Sequence, residues 1–331
     1  MLESLFSSDE LKEFKIVDWG STENPIPDSF SKFNSWVEEG KHLPLHYLSD
    51  HRKEKRRDLK NYFPEFQSAL VFLFSYQKEK QYLEKFYNSN ESNGLKMASY
   101  VMGFDGNDYH HQIKDQLNSI RERLESKIPG LKCALTLDIH PVLERDLAYR
   151  SGLGWFGKNS MFISKKFGSY TIIGSLLLNK KIGPSKNTVL EADHCGQCRA
   201  CIPACPTGAI DITSRQIVAE KCLSTYTIEL FKDADAIPGG ENCDEIFGCD
   251  ICQDVCPWNQ RLLRFDEEVI AESQGEKFQK IKSFFLVPPK DKIIKDLEKM
   301  PNRKYQREFK GTALERTGRI GMLKNLKNCR D

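Results

Sequence analysis

The sequence predicts an α/β (α+β) chain in which helices cover a mixed sheet and a small cysteine-rich module follows. Three observations predict it. Ser68 to Tyr76 is an unbroken apolar run of strand length, suited to the middle of a covered sheet. Helical and strand-like patterns alternate irregularly around it, as they do when helices lie on the faces of a sheet. Seven of the eleven cysteines then fall in two runs, Cys195-x2-Cys198-x2-Cys201-x3-Cys205-Pro206 and Cys249-x2-Cys252-x3-Cys256-Pro257.

Each element has a local reason. Phe30, Phe33 and Trp36 recur at three-residue spacing ahead of Gly40, so residues 26–40 read as an amphipathic helix. Ile113, Leu117, Ile120 and Leu124 line one face of a helix over 107–127, with alternating charges outside. After Pro129-Gly130, Lys132 to Asp138 reads as a strand that ends in a carboxylate. Pro141 to Arg150 reads as a helix stopped by Gly152 and Gly154, and Ser169 to Leu178 as another strand. Residues 266–331 are charged and helix-prone, broken at Pro288-Pro289, with Ile293, Ile294 and Leu297 on one face.

The cysteine spacing carries the most chemistry. A cubane 4Fe-4S cluster takes several thiolates from one short loop and one from a distant position, and the first run is the two-cluster pattern whose fourth cysteine ligates the other cluster. Cys195, Cys198, Cys201 and Cys256 are therefore assigned to one cluster, and Cys205, Cys222, Cys249 and Cys252 to the other. Pro206 and Pro257 stop any helix from continuing past each run. Zinc sites read instead as paired CxxC units or Cys/His sets, and eight-cysteine disulfide frameworks belong to short secreted chains. Cys133, Cys243 and Cys329 remain as buried or incidental thiols. The chain therefore handles single electrons.

At 331 residues the chain exceeds one typical domain, and its larger N-terminal part must use those electrons. The expected division is a catalytic domain over 1–190, a two-cluster ferredoxin-like domain over 191–262 and a short helical appendage over 263–331. No apolar run approaches the ~20 residues that span a bilayer, and the opening MLESLFSSDELKEF is acidic rather than a basic leader. Unpaired thiols fit a reducing compartment, so a cytoplasmic protein with no membrane partner is expected. The net charge of +2 is uninformative, but Arg52 to Lys60 holds six cations against two acids. From Arg303 to Asp331 there are nine against three. Such runs hold phosphates or form a solvated face, and both readings stand.

The stretch from Asp138 to Ser160 is dense in polar residues and glycines. An acid at a strand's C-terminal end sits where ligands bind in α/β folds. Asp138 reads equally as that acid and as the cap of a helix starting near Pro141. Glu144 and Arg145 also read as surface charges, His110 and His111 as exposed helix histidines, and Lys158-Asn159 as the close of a turn. Gly152, Gly154 and Gly157 follow a helix rather than a strand, which rules out a dinucleotide loop. They read as room for backbone to approach a large flat ligand.

The order of Asp108-Tyr109-His110, Asp138 with Pro141 to Arg145, Ser151 to Ser160, Cys195 to Pro206, Cys222 to Glu229 and Gly248 to Asn259 resembles the epoxyqueuosine reductases, over about residues 10–262. The resemblance implies a nitroreductase-like cobalamin-binding domain followed by a two-cluster ferredoxin module. It implies reduction of the epoxide of epoxyqueuosine at the tRNA wobble position to the alkene of queuosine, with cob(I)alamin as the two-electron reductant and a ferredoxin or flavodoxin as donor. Asp138 matches the family's proton donor, which burial beside the corrin would keep protonated. Arg56, His110, Arg145, Lys158 and Asn159 match residues lining cobalamin or substrate. The chain departs from the family at Ile139-His140, and of the longer members' HEAT-like repeats only about one helix, Thr312 to Lys327, is expected. The rivals are a reductive dehalogenase-like corrinoid enzyme and a ferredoxin-type electron carrier.

Overall fold

The computed structural model describes residues 6–183, 189–230, 243–263 and 275–329. Met1 to Leu5 of the acidic opening, and Arg330 and Asp331 of the basic C-terminal run, lie outside them. In chain order the strands are β1 (Ile16–Thr22), β2 (Ser68–Ser75), β3 (Lys96–Met97), β4 (Cys133–Thr136), β5 (Trp155–Phe156), β6 (Phe162–Ile163), β7 (Thr171–Leu178), β8 (Ile210–Asp211), β9 (Gln216–Ile217) and β10 (Glu245–Phe247). The α-helices are α1 (Ser8–Glu13), α2 (Phe30–Glu38), α3 (Arg52–Arg57), α4 (Gln77–Tyr87), α5 (Tyr109–Lys127), α6 (Glu144–Arg150), α7 (Cys201–Ala204), α8 (Ile251–Asp254), α9 (Pro257–Gln260), α10 (Glu276–Ile281), α11 (Lys290–Lys299), α12 (Asn302–Glu308) and α13 (Leu314–Lys327). The chain forms two compact units, residues 1–75 with 112–199 and residues 76–111 with 200–331.

The first unit is built on a four-stranded sheet of order β1-β2-β7-β4. β2 is the apolar run expected to be central, and it pairs on both sides, with Val71 opposite Gly20 and Ser175. Period-two alternation sends its residues to two apolar layers. Ala69, Val71 and Leu73 join Val142, Leu147, Ala148 and Leu153 from α6 and its flanks. On β7, Gly174 leaves space that Leu117 and Ile113 of α5 and Phe74 of β2 fill. Every pairing in this sheet is antiparallel, where the irregular alternation predicts a mixed sheet. Neighbouring strands here are far apart in sequence, so their long connections leave strand direction open. Among the described strands the parallel pair is β3 with β10, in the second unit.

The second unit packs its C-terminal helices into one core with α4 and the β3–β10 pair. Phe278, Ile281, Phe285, Leu297, Tyr305, Phe309 and Leu326 share it with Leu83, Phe86, Met97 and Phe247. Beyond Gly275 the stretch read as helix-prone holds four α-helices, α10 to α13, and α13 falls within Thr312 to Lys327. Several of the C-terminal cations are engaged by other residues of the protein. Lys327 pairs with Glu298 at 2.7 Å, Arg319 donates to the Leu297 carbonyl at 3.1 Å and Lys324 to the Tyr226 carbonyl at 2.6 Å. No helix among the described residues is long and apolar enough to cross a membrane.

The tightest approach in the first unit lies at the β5–β6 hairpin, where a Cβ on Gly154 would stand 2.1 Å from the Ile163 carbonyl oxygen and 2.8 Å from Phe162. Backbone cannot yield as a flexible side chain can. Gly154→Ala is expected to cost about 1–3 kcal/mol, the range for overpacking a filled site. A lowered urea midpoint with unchanged denaturant slope checks it.

Candidate active site

β4 ends at Thr136 and the chain turns at once. The His140 amide donates to the Leu137 carbonyl at 2.9 Å, the Val142 amide donates to the His140 carbonyl at 2.9 Å, and the Leu137 amide donates to His140 Nδ1 at 3.0 Å. The His140 ring stands edge-on to Tyr62 with centroids 5.9 Å apart, which ties the turn to the interior. Asp138 is exposed on this turn. α6 begins only at Glu144, with Leu143 at its N-cap and no side-chain cap bond, so Asp138 does not cap it. Residues 138–142 are spent on the turn.

Charges converge here. Glu144 opens α6 half-buried, and burial lifts its carboxyl to about 7, with the nearby Asp138 adding to the lift and Arg145 and Arg56 opposing it. Arg56 is a basic residue of α3 but only 7% exposed, with its guanidinium carbon 5.7 Å from the centre of the Phe33 ring. Its Nη1 is buried without a hydrogen-bond partner. Such orphaned donors are rare and costly, which marks the position as more than structural.

The turn between β5 and β6 supplies the next residues. Arg145 donates to the Ser160 carbonyl, and Asn159 Oδ1 accepts from the Met161 amide at 3.2 Å. Lys158 reaches out of this turn to the first cysteine run, donating from Nζ to the carbonyls of Gly196 at 2.6 Å and Cys198 at 2.8 Å. The glycines here serve the fold rather than a flat ligand. A Cβ on Gly157 would lie 2.6 Å from both Asn159 Oδ1 and Ile163 Cδ1, and Gly152 takes a φ of +72°. His110 sits in the second unit, where its Nδ1 meets Asp108 Oδ1 at 2.7 Å and its ring stacks on Tyr109 at 4.1 Å. Burial raises the Asp108 carboxyl, but the hydrogen bonds from His110 outweigh it and hold it below its usual value.

All eleven cysteines are free thiols. Cys195 and Cys198 belong to the first unit and the other six expected ligands to the second. Burial raises the thiols of Cys222, Cys249 and Cys252, and neighbouring cysteines raise them further. Cys222 is raised by Cys205, Cys249 by Cys252 and Cys222, and Cys252 by Cys222, Cys205 and Cys201. Cys201, Cys205, Cys222, Cys249 and Cys252 therefore lie near enough to feel one another's charge. The Ala209 amide donates to Cys205 Sγ at 3.3 Å, the kind of N–H···S contact that tunes a bound cluster.

Sequence reasoning missed two residues. Glu144 reads as a surface charge because nothing local shows that Arg56 and Asp138 converge on it. Lys80, in the charged stretch QKEKQYLEK, is 2% exposed.

A family model described as "Epoxyqueuosine reductase QueG, DUF1730" matches residues 56–139, and one described as "4Fe-4S double cluster binding domain" matches residues 194–259. The epoxyqueuosine reductase of Cyclobacterium marinum is 34% identical over 308 residues, covering 91% of this chain and 88% of that protein. The chain belongs to the epoxyqueuosine reductase family. It is an oxidoreductase with a double-cluster domain. The solved reductase from Streptococcus thermophilus has the same fold, with a TM-score of 0.76 at 23% identity over 98% of this chain and 80% of that one. Another solved epoxyqueuosine reductase, in complex with an epoxyqueuosine-modified tRNA stem loop, gives 0.73 at 22% identity over 98% and 79%.

Two outcomes follow from the geometry. Lys158→Met removes two charge-assisted hydrogen bonds from the Gly196 and Cys198 carbonyls, each worth about 1.5–3 kcal/mol. After anaerobic reconstitution, the variant is expected to hold less iron per chain than the parent and to bleach faster in air. The folded Glu144 carboxyl keeps its proton up to about pH 7, above its ordinary 4.5, so folding binds a proton in that window and stability falls as pH rises through it. Glu144→Gln is expected to flatten the fall between about pH 4.5 and 7, read from urea midpoints across that range.

Proposed function

We propose that this protein reduces the epoxide of epoxyqueuosine to the alkene of queuosine at the wobble position of tRNA, using cobalamin supplied with electrons by two 4Fe-4S clusters. The observation that carries the reading is the half-buried Glu144, on which the charges of Asp138 and Arg56 both act, in a chain whose relatives are these reductases. The residues fit the cofactor. The orphaned Nη1 of Arg56 suits an amide or phosphate oxygen, groups that a cobalamin carries on its periphery, and Phe33 offers an apolar face beside it. Cys205, Cys222, Cys249 and Cys252 fit one cubane as thiolate donors, and Cys195, Cys198, Cys201 and Cys256 supply the other.

Losing the epoxide oxygen as water takes two electrons and two protons. The clusters pass electrons singly, and cobalamin in its reduced state supplies the pair. Asp138 delivers a proton to the departing oxygen as a general acid. Asp138 is exposed on its turn, and the expected burial is that beside a bound corrin and substrate. Bound substrate has to supply that desolvation. Glu144 holds a proton close to neutral pH and stands ready to replace the one Asp138 gives up. Arg145 and Asn159 keep the neighbouring turn in shape.

Lys55, Arg57 and Lys60, the exposed cations of the stretch Arg52 to Lys60, grip the RNA, whereas Lys324, Lys327 and Arg319 of the C-terminal run are engaged by other residues of the protein. A ferredoxin or flavodoxin supplies low-potential electrons, and the work takes place in the cytoplasm, a reducing compartment that suits cysteines outside disulfides. An organohalide substrate is the weaker reading, because the relatives matched along the chain's length are epoxyqueuosine reductases.

Anaerobic reconstitution with iron, sulfide and cobalamin, followed by mass analysis of wobble nucleosides from treated tRNA, tests the proposal. Conversion of epoxyqueuosine to queuosine is expected, and a loaded protein that leaves the epoxide intact would refute it. Asp138→Ala is expected to retain corrin and iron while turnover drops about 10²–10⁴-fold, the span of general acid catalysis.

A further inference from the structure

We propose that Lys80 sets the reduction potential of the cubane held by Cys205, Cys222, Cys249 and Cys252, its buried ammonium offsetting two carboxylates interleaved with the ligands of the second cysteine run. The inference rests on the ligand assignment above and goes beyond it, since cysteine spacing says nothing about what surrounds a cluster. It concerns the second unit alone.

Lys80 lies on the inner face of α4, 2% exposed. Its Nζ stands 2.6 Å from Asp254 Oδ1 and 3.4 Å from Glu84 Oε2. Asp250 and Asp254 sit between Cys249, Cys252 and Cys256 in the chain, and Asp250 is 4% exposed. Asp250 Oδ2 accepts from the Ser99 amide and hydroxyl, each at 2.7 Å, and Oδ1 accepts from Gln253 Nε2 at 2.9 Å. Asp250 faces the Cys252 thiol electrostatically, and Lys80 is its foremost positive partner. The same helix docks on the end of this segment, with Gln77 and Gln81 donating to the Leu262 carbonyl at 3.1 and 2.5 Å. Glu245 also faces the group, and burial lifts its carboxyl to about 8, with Asp250 and Asp254 adding to the lift, so it is mostly neutral at pH 7.

Reducing a cubane adds a negative charge to an already anionic group. Carboxylates beside its ligands, Asp250 buried and Asp254 partly exposed, oppose that step, and the buried ammonium paired with Asp254 favours it, more strongly than it would in water. Glu84 is half-exposed at the surface end of the site and weighs less. Lys80 is therefore a positioning residue that acts through Asp250 and Asp254.

The test is a potentiometric titration of the reconstituted protein, with each cubane followed by electron paramagnetic resonance. Lys80→Met is expected to shift one cubane to lower potential and leave the other in place, whereas Lys80→Arg stays at the parent value. Asp254→Asn is expected to shift the same cubane upward, and the double variant Lys80→Met/Asp254→Asn to return it toward the parent. A Lys80→Met protein with full iron and sulfide and both potentials unchanged would overturn the inference. Should that variant fail to hold its clusters, an Asp254→Asn protein with unchanged potentials overturns it equally. A parent chain that takes up no iron and sulfide would bring down the ligand assignment first, and this inference with it.

Discussion

Three cysteine-bearing stretches are each pinned by a side-chain nitrogen reaching in from a neighbouring element. Lys158 holds the carbonyls of Gly196 and Cys198 in the first run. Lys80 pairs with Asp254 inside the second. Beyond Cys222, Lys324 donates to the Tyr226 carbonyl, and Asn325 donates at 2.9 Å to the carbonyl of Thr227 and at 2.9 Å to that of Ile246. Short loops cannot hold ligands to the tolerance a cluster demands, and supporting contacts from rigid elements supply the missing stiffness. The C-terminal helices, whose charged composition suggests an appendage, thereby brace the stretch that follows Cys222.

The same economy appears at the acid turn. β4 is an edge strand of the first sheet, and the turn after it is closed by the His140 ring acting on the Leu137 amide. Asp138 lies exposed on that turn. Behind it, Glu144 and Arg56 are half-buried and buried, and burial moves the Glu144 carboxyl into the neutral range. An exposed acid backed by a carboxyl titrating near neutrality is an arrangement suited to repeated proton delivery.

Much of this was legible in residues. The run Ser68 to Tyr76 became the central strand within one residue, and Ile113, Leu117, Ile120 and Leu124 became the buried face of a long helix. Those signals are periodic and local, so neighbours along the chain suffice to read them. Strand direction was not legible, because the partners of β2 lie about fifty and a hundred residues away. The helix expected from Pro141 starts three residues later, since hydrogen bonds of the turn outcompete helix formation there.

The amino-acid order alone determined the ligand chemistry, the family and the place of the acid, because cysteine spacing and a carboxylate at a strand end are properties of nearby residues. Tertiary structure decided which charges are buried. Lys80 and Arg56 sit in stretches as charged as any surface helix, yet both are inside. Whether a cation faces water or a carboxylate depends on what distant segments pack against it, and a linear pattern holds no record of that field.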